Sequence, residues 1–329
     1  MSLQNLVLHT GFTNQIFYTI LNKVLMLIQN KISKELNQDV DVESIFKTHN
    51  LSFVETRFFR EKTNVIRVRD NSSGKNLILK IGRIDPFQLE LLLLAKKIED
   101  KLSFKVPAIF FSGDGYIVME EIRGQFLNNF YENNIEWCVS LSKTVADSYQ
   151  VLIDEFIQSN SLGDLQKEAE KWFLSRLNMW SKPIIEQGLI SFQFTQDLAD
   201  QFQYYSSGEN FFSWVHGNTI GDHIIISDNQ VYLIDLSAEP RAGGKYYDFL
   251  RSIDFMILKS SKPNLIFANI PIWINQYLSE FDEEEIKFIL TFRAIGALGW
   301  DILHHKVEYT KGDIEEKKAI LLNIIKGEY

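Results

Sequence analysis

The chain has 329 residues, of which 45% are hydrophobic and 23% are charged, with a net charge of −9 and a pI of about 5.3. This length suits two lobes or domains, and the composition is that of a soluble protein that buries a large core. The acidic balance argues against nucleic acid as the main partner, because nucleic-acid binding needs a concentrated basic surface.

Cysteine content and hydropathy exclude further classes of protein. The single cysteine, Cys138, rules out an internal disulfide and a cysteine-based metal site. The first residues lack the basic start and long apolar run of a secretory signal. No apolar segment reaches the length of about 20 residues that a membrane span needs. We therefore expect a cytoplasmic protein without a membrane partner.

The first fifty residues predict helices. Apolar residues from about position 13 to position 36 recur at helical spacing, and a second, short helix is expected near Val42 to Lys47. The apolar face of this extension would either pack against the next domain or form a dimer interface. The oligomeric state therefore stays open.

Residues 51–124 predict a small mixed lobe. LSFVETRFF, VIRVRD and NLILKIG are rich in strand formers, and the turn Asn71–Gly74 separates the second from the third. Helical periodicity returns from Pro86 to Leu102, and VPAIFFSGDGYIVMEEI then predicts two more strands around Gly113–Gly115. The expected order is three strands, a helix and two strands.

After Gly124 helical patterns dominate. HIIISD–NQ–VYLIDL is the exception and predicts an apolar hairpin that turns at Asn229 and Gln230. We predict an α+β fold of two lobes, with a helical extension (1–50), a small lobe with an antiparallel sheet (51–124) and a larger, mainly helical lobe (125–329). The helices expected in the larger lobe are 135–158, 165–177, 195–205, 246–259, 272–280 and 284–305.

Two segments of the small lobe carry residues suited to binding a ligand. Lys80 lies near the end of the strand NLILKIG, and the helix that follows contains Glu90. The strand in YIVMEEIRG ends close to Glu121 and Ile122, where backbone groups become available for hydrogen bonds.

A third segment, WVHGNTIGDHIII, lies in the larger lobe. It contains the pair His216 and Gly217, then Asn218, and His223 five positions after Asn218. The hairpin that follows brings His223 and Asp235 together at its open end. Two potential metal ligands would therefore lie side by side.

These motifs, in this order, resemble those of the aminoglycoside and macrolide phosphotransferases. That family shares the protein-kinase-like fold with choline and thiamine kinases, and the resemblance covers roughly residues 50 to 305. It implies transfer of a phosphoryl group from ATP or GTP, with Mg²⁺, to a hydroxyl group of a small molecule. Lys80 and Glu90 would position the α- and β-phosphates, and the backbone of Glu121 and Ile122 would bind the purine.

The same resemblance assigns roles in the third segment. His223 and Asp235 would bind Mg²⁺, and His223 stands where most kinases have Asn and macrolide-type members have His. Asn218 takes the place of the catalytic Asp, and His216 would brace this catalytic loop. Asp248, in GGKYYDFLR, would tie the helix that follows it to the loop.

Two departures from the family pattern bear on activity. FFREKTNVIRV has no glycine at the phosphate-covering turn, so Thr63 and Asn64 either bond the phosphates or belong to a plain hairpin turn. Asn218 can orient a hydroxyl group but cannot take up its proton, and the nearby Asp222 is not expected to replace the missing acid. A positioned base contributes about 10²–10⁴-fold. The sequence therefore predicts a slow enzyme or, alternatively, a pseudokinase that binds nucleotide or a partner protein.

In the family, the acceptor binds in the helical lobe. The acidic run 282–285 favours a helix cap over a cation site. Trp300, Asp301, His304 and His305 lie on a late helix that borders the acceptor pocket in relatives, and two adjacent histidines alone make a poor metal site. The acidic net charge is compatible with a cationic acceptor, but no residue names the substrate.

Overall fold

The protein is described here by a computed structural model in two compact units. The first unit contains the chain up to Lys96 together with Val106–Arg123, and the second contains Lys97–Lys105 together with Gly124–Tyr329. The helix predicted at positions 13 to 36 lies outside the residues that the structure describes. Those residues are 41–59, 63–82, 84, 87–160, 162–208, 211–304 and 313–329, with the backbone alone at 56–59 and 63.

The first unit contains a five-stranded antiparallel sheet in the order β1-β2-β3-β5-β4. Strand β3 shows why the sequence forms this sheet, since Leu77, Leu79 and Ile81 are buried while the alternate residues face the other side. The predicted three strands, helix and two strands are confirmed. The elements are α1 (Val42–Thr48), β1 (Leu51–Phe59), β2 (Thr63–Asp70), β3 (Asn76–Gly82), α2 (Gln88–Lys97), β4 (Ile109–Gly113) and β5 (Tyr116–Glu120).

Helix α1 covers one face of this sheet. Asp41 starts the helix by accepting a hydrogen bond from the backbone N–H of Ser44 at 2.9 Å. The apolar residues of α1 then join the buried residues of β2 and β3 in one core. Burial of this apolar stripe is what holds the short helix in place.

The second unit is mainly helical. Its helices are α3 (Ile135–Ser159), α4 (Leu165–Glu186), α5 (Phe192–Tyr205), α6 (Tyr247–Lys259), α7 (Pro263–Tyr277), α8 (Glu283–Gly296) and α9 (Ile314–Ile325), with a π-helix at Ala297–His304 and 3₁₀ turns at Glu99–Lys101, Leu127–Phe130 and Gly244–Tyr246. Its strands are β6 (Gln125–Phe126), β7 (Phe212–Val215), β8 (Ile224–Ser227), β9 (Gln230–Leu233) and β10 (Glu239–Ala242), in the sheets β6-β8-β9 and β10-β7. Within the described ranges, no helix is both long and apolar enough to cross a membrane.

Several predicted helix bounds were wrong. The helix predicted at 272–280 is Pro263–Tyr277, because Pro263 suits a first helical turn and Pro271 does not end the helix. The helix predicted at 165–177 continues to Glu186. The helix predicted at 284–305 is α-helical only to Gly296 and becomes a π-helix beyond it.

Three strands and a helix of the second unit had no counterpart in the prediction. Strands β6, β7 and β10 have two to four residues, too few for an alternating pattern, and Pro240 in β10 reads against a strand. Helix α9 has a clear start, because the side chain of Asp313 accepts from the backbone N–H groups of Glu315 and Glu316.

The hairpin of β8 and β9 turns one residue earlier than predicted. Ser227 pairs with Gln230, so the turn consists of Asp228 and Asn229. Both residues have positive φ, at 48° and 60°. A two-residue hairpin turn with this backbone matches the twist of the strands, and Asp and Asn tolerate it well.

A buried lysine closes the end of helix α6. Lys317 of α9 is 0% exposed, and its ammonium group donates to the carbonyl oxygens of Leu258 at 2.5 Å and Ser260 at 2.8 Å. Carbonyl groups at a helix end have no partners within the helix, and a cation there also complements the helix dipole. Lys317 therefore supplies hydrogen-bond donors and a positive charge to the end of α6.

Replacing Lys317 by Met keeps the length of the side chain but removes both hydrogen bonds. Because a buried polar group without a partner costs about 1–3 kcal/mol, we expect the free energy of unfolding, measured by urea titration, to fall by that amount. The control is Lys318→Met, which changes a neighbouring surface residue paired with Glu315 and should shift stability by less than about 0.5 kcal/mol. Equal losses in the two variants would contradict the capping role.

Candidate active site

The loop between β7 and β8, residues 216–223, is tied down at its start. The backbone N–H of His216 donates to Oδ2 of Asp248 at 2.9 Å, and Asp248 lies in the first turn of α6. The hydroxyl group of Ser237 donates to the carbonyl oxygen of His216 at 2.7 Å. Helix α6 and the segment after β9 therefore both fix where the loop begins.

The side chain of His216 is enclosed. It is 0% exposed, and its ring packs edge-on against Tyr149 with centroids 4.9 Å apart and lies 5.9 Å from the ring of His223. Burial lowers the pKa of His216 to about 4, against the opposing influence of the Asp248 carboxylate. The ring is therefore neutral at pH 7, and its enclosure fits a brace for the loop better than direct contact with a ligand.

The hairpin brings the backbone of His223 close to that of Asp235. Ile224 pairs with Leu233 across the hairpin, and the backbone N–H of Ile234 donates to the carbonyl oxygen of His223 at 2.9 Å. Asp235 is exposed, and its backbone has φ at +62°. Such a conformation is uncommon for residues other than glycine and tends to occur at functional sites.

Asp235 and His223 alone would not make a complete metal site. Among the described residues, no group of three or more His, Cys, Asp or Glu side chains could hold a metal ion. Mg²⁺ is usually held by one or two carboxylates together with waters and phosphate oxygens rather than by a complete protein cage. A carboxylate with an adjacent imidazole fits that partial role, so Mg²⁺ binding at this pair stays a prediction.

Asn218 is held by an arginine of helix α6. Nε of Arg251 donates to Oδ1 of Asn218 at 3.4 Å. Arg251 also forms an ion pair with Asp254, and Arg293 of α8 binds the same carboxylate at 2.7 Å. A chain of charged groups thus connects α8 to Asn218 in the loop.

The second half of the loop is fixed by residues near the start of the second unit. Asp222 accepts a hydrogen bond from Asn128, and its other oxygen lies 3.7 Å from Nζ of Lys259. A Cβ atom at Gly221 would overlap the hydroxyl group of Tyr131 and lie 2.9 Å from the backbone nitrogen of Asn128. The loop therefore needs glycine at position 221. Both oxygens of Asp222 are engaged, in line with the expectation that it does not replace the missing acid.

In the first unit, Lys80 pairs with a different residue from the one predicted. Its ammonium group donates to Oε1 of Gln88 at 2.8 Å, and Gln88 is 1% exposed. Glu90 is exposed and bonds to no described residue. Helical phase explains the difference, since Gln88 shares the buried face of α2 with Leu91 and Leu92, whereas Glu90 lies outside it. The structure therefore brings together Lys80 and Gln88, and not Lys80 and Glu90.

The other predicted nucleotide contacts are placed as follows. The side chain of Thr63 lies outside the described residues. Asn64 is 2% exposed, and its Oδ1 has no hydrogen-bond partner in the part of the chain that the structure describes. Glu121 accepts from Arg67 at 2.8 Å, and Ile122 is half-buried just beyond β5. Purine binding by the backbone of Glu121 and Ile122 remains a prediction.

The acidic run 282–285 caps a helix. Asp282 accepts from the backbone N–H of Glu285 at 2.9 Å and starts α8. Glu283 and Glu284 both pair with Lys287, at 2.9 and 2.8 Å. These carboxylates therefore have structural partners, as the cap interpretation expects.

The late helix predicted at 284–305 ends in the π-helix. Trp300 and His304 stack with ring centroids 4.6 Å apart, and the negative charge of Asp301 acts on the guanidinium group of Arg293. His305 lies outside the described residues. A π-helix inserted after an α-helix is a feature often found at functional sites.

Comparison by sequence identifies no relatives. No protein-family model matches the chain, and no curated protein matches it.

Comparison by structure finds small-molecule kinases. Choline kinase from Cryptosporidium parvum is 12% identical with a TM-score of 0.51, and the alignment covers 92% of this chain and 94% of that one. A thermostable mutant of aminoglycoside phosphotransferase APH(4)-Ia, in its apo form, is 10% identical with a TM-score of 0.54, covering 87% and 98%. A ternary complex of that phosphotransferase with AMP-PNP and hygromycin B gives the same identity and TM-score, covering 88% and 98%. At these identities the likeness shows the fold, and the chain has the protein-kinase-like fold of small-molecule kinases.

The buried His216 makes stability depend on pH. Its pKa is about 4 in the folded protein against an ordinary 6.5, so the unfolded chain binds the proton more readily. The stabilisation from a neutral His216 is complete above pH 6.5 and is lost as the pH falls toward 4, and we expect a loss of about 3 kcal/mol in the free energy of unfolding. His216→Gln should remove this part of the dependence in urea titrations between pH 7 and pH 4. The control, His304→Gln at an exposed position, should keep it, and a His216→Gln protein with the unchanged slope would contradict the assignment.

Proposed function

We propose that the protein is an ATP-dependent phosphotransferase that acts on a hydroxyl group of a small molecule, with catalysis altered by Asn218. The observation that carries the proposal is the exposed Asp235, in a left-handed backbone conformation, next to His223 at the open end of the hairpin and close to a loop fixed by Asp248. Similar folds that bind a nucleotide analogue together with a small-molecule acceptor support it. GTP is a second candidate for the phosphoryl donor.

The proposed reaction makes limited demands on the side chains. The acceptor oxygen forms a bond to the terminal phosphorus, the bond from that phosphorus to the bridging oxygen of the β-phosphate breaks, and the hydroxyl proton leaves. A carboxamide cannot take up the proton, so the proton would pass to water. Because the transition state is largely dissociative, positioning contributes more to the rate than proton removal does.

Asp235 and His223 would hold Mg²⁺, which when bound supplies positive charge to the β- and γ-phosphate oxygens. In the first unit, Lys80 would bind phosphate oxygens with an ammonium group whose orientation Gln88 helps to fix. The backbone of Glu121 and Ile122 would bind the purine.

A pseudokinase that binds nucleotide without turnover is the second candidate. It is favoured by one observation, the hydrogen bond from Arg251 to Asn218, which directs the only acceptor atom of this side chain toward an arginine. The acceptor class remains open in either case. Aminoglycosides, macrolides and choline form the first panel to test, since they span the known substrates of the family that the sequence resembles.

Nucleotide binding can be measured without knowing the acceptor. We expect ATP with Mg²⁺ to raise the melting temperature progressively with concentration, since a ligand at about 100 times its Kd stabilises by about 2.7 kcal/mol. Asp235→Asn should remove the part of the shift that depends on Mg²⁺, because the carboxylate is lost while Asn tolerates the same backbone conformation.

The matched control for that experiment is Asp228→Asn, at the other end of the same hairpin. Asp228 also has a positive φ and is exposed, so the chemical change and the backbone setting are alike. This variant should show the full shift. Absence of any shift at millimolar ATP would contradict nucleotide binding and favour a scaffold without nucleotide.

Restoring the acid tests the catalytic role of position 218. Asn218→Asp should raise phosphotransfer to a responsive acceptor by about 10²–10⁴-fold, because the carboxylate can take up the hydroxyl proton. The gain should lie in kcat, with the KM for ATP little changed. A coupled assay of ADP release over the acceptor panel measures both constants.

Asn275→Asp is the control for the added negative charge. Asn275 is exposed on α7, and the change there should leave the rate unchanged. If Asn218→Asp also leaves the rate unchanged, position 218 does not have the role proposed here. If the wild-type protein binds ATP and only Asn218→Asp turns over, the pseudokinase interpretation is favoured.

A further inference from the structure

The orientation of the Asn218 side chain follows from the chemistry of its neighbour. A guanidinium group has five N–H donors and no acceptor, so it can bond only the oxygen of a carboxamide. Nε of Arg251 lies 3.4 Å from Oδ1 of Asn218. The Nδ2 group of Asn218 is therefore the end that does not face the arginine.

Arg251 is itself held in place from several sides. Its side chain is only 13% exposed and forms an ion pair with Asp254, which is 2% exposed. Arg293 binds Asp254 through both Nε and Nη2 at 2.7 Å, and its Nη1 donates to the hydroxyl group of Tyr247 at 3.0 Å. The guanidinium group of Arg251 also lies 5.8 Å from the ring of Phe255. An arginine fixed in this way can impose a single orientation on a flexible amide.

We propose that Arg251 is a positioning residue, which fixes the carboxamide of Asn218 so that its Nδ2 group donates a hydrogen bond to an oxygen of the bound ligand. The proposal rests on the function proposed above and assigns this loop position a new role. Within the described part of the chain, the hydrogen bond from Arg251 is the one that Asn218 makes, so Nδ2 keeps its two hydrogens for a ligand.

The consequence for recognition is a change of polarity at the reacting position. A catalytic carboxylate accepts a proton and repels anionic oxygens. The Asn218 amide, backed by the positive charge of Arg251, offers only donors. It favours an oxygen that carries lone pairs and negative charge, which describes a phosphoryl oxygen, or the acceptor oxygen as it loses its proton.

A purely structural role for Arg251 is the competing explanation. It predicts that Arg251 matters because Asp254 needs a partner. Asp254, however, keeps both contacts from Arg293 when Arg251 is replaced, so the buried carboxylate is not left unpaired. Loss of Arg251 should therefore affect Asn218 far more than it affects folding.

The first experiment observes the Asn218 amide directly and needs no turnover. Its side-chain ¹H–¹⁵N signals are assigned by their loss in Asn218→Asp. We expect Arg251→Met to move these signals to the chemical shifts of an amide that is exposed to water and turns about its Cβ–Cγ bond. Arg251→Lys keeps a cationic donor and should return the signals most of the way to their wild-type positions. Arg176→Met makes the same change on α4, where the arginine contacts Met179 of its own helix, and should leave the signals in place.

The second experiment compares turnover with stability. We expect Arg251→Met to lower kcat at least tenfold, with the KM for ATP within twofold of wild type, and Arg251→Lys to recover most of the loss. Unchanged Asn218 signals in Arg251→Met, or a loss of kcat that only follows a loss of stability in both variants, would overturn the proposal. If the protein proves not to bind nucleotide, the function proposed above fails, while the spectra still decide whether Arg251 orients Asn218.

Discussion

One buried carboxylate sets the geometry on which the loop 216–223 depends. Asp248 is 3% exposed, and its oxygen accepts the backbone N–H of His216 from the first turn of α6. Burial raises the pKa of Asp248, and the backbone N–H groups of Gly217 and Thr219, together with that of His216, oppose this rise. The carboxylate therefore holds the first N–H group of the loop and acts on those of Gly217 and Thr219. This contact joins the start of the loop to helix α6, which also carries side chains that face the loop.

Two of those side chains, Arg251 and Lys259, give the loop a positive border. Arg251 faces Asn218 and Lys259 faces Asp222. At position 218 the motif that the sequence resembles has an acid, whereas this chain has a neutral amide. A second amide, Gln88, meets Lys80 in the first unit. Each unit thus contains a contact between a cationic side chain and an amide, in which the amide oxygen accepts the hydrogen bond.

The sequence predicts the parts of this arrangement that depend on local pattern. Alternation of apolar residues predicts the sheet of the first unit, and the apolar hairpin places His223 beside Asp235. The pairing of Lys80 with Glu90 was wrong because the family motif was given more weight than helical phase, which places Gln88 and not Glu90 on the buried face of α2. Arg251 carries no signal in the sequence, since its contact with Asn218 depends on how α6 packs against the loop. The short strands β7 and β10 were missed for a related reason, because they are defined by their partner and not by their own residues.

The π-helix at Ala297–His304 has a consequence for how the surface around Trp300 could change in evolution. A π-helix inserts an additional residue into a helical turn. Deleting a single residue there would return the segment to α-helical winding, and the residues of that turn would face new directions around the helix axis. Trp300 and Asp301 would then point in new directions without any change in their identity. Gain or loss of one codon at this point is therefore a short evolutionary route to a different surface around Trp300 and Asp301. The loop that carries Asn218 would not need to change.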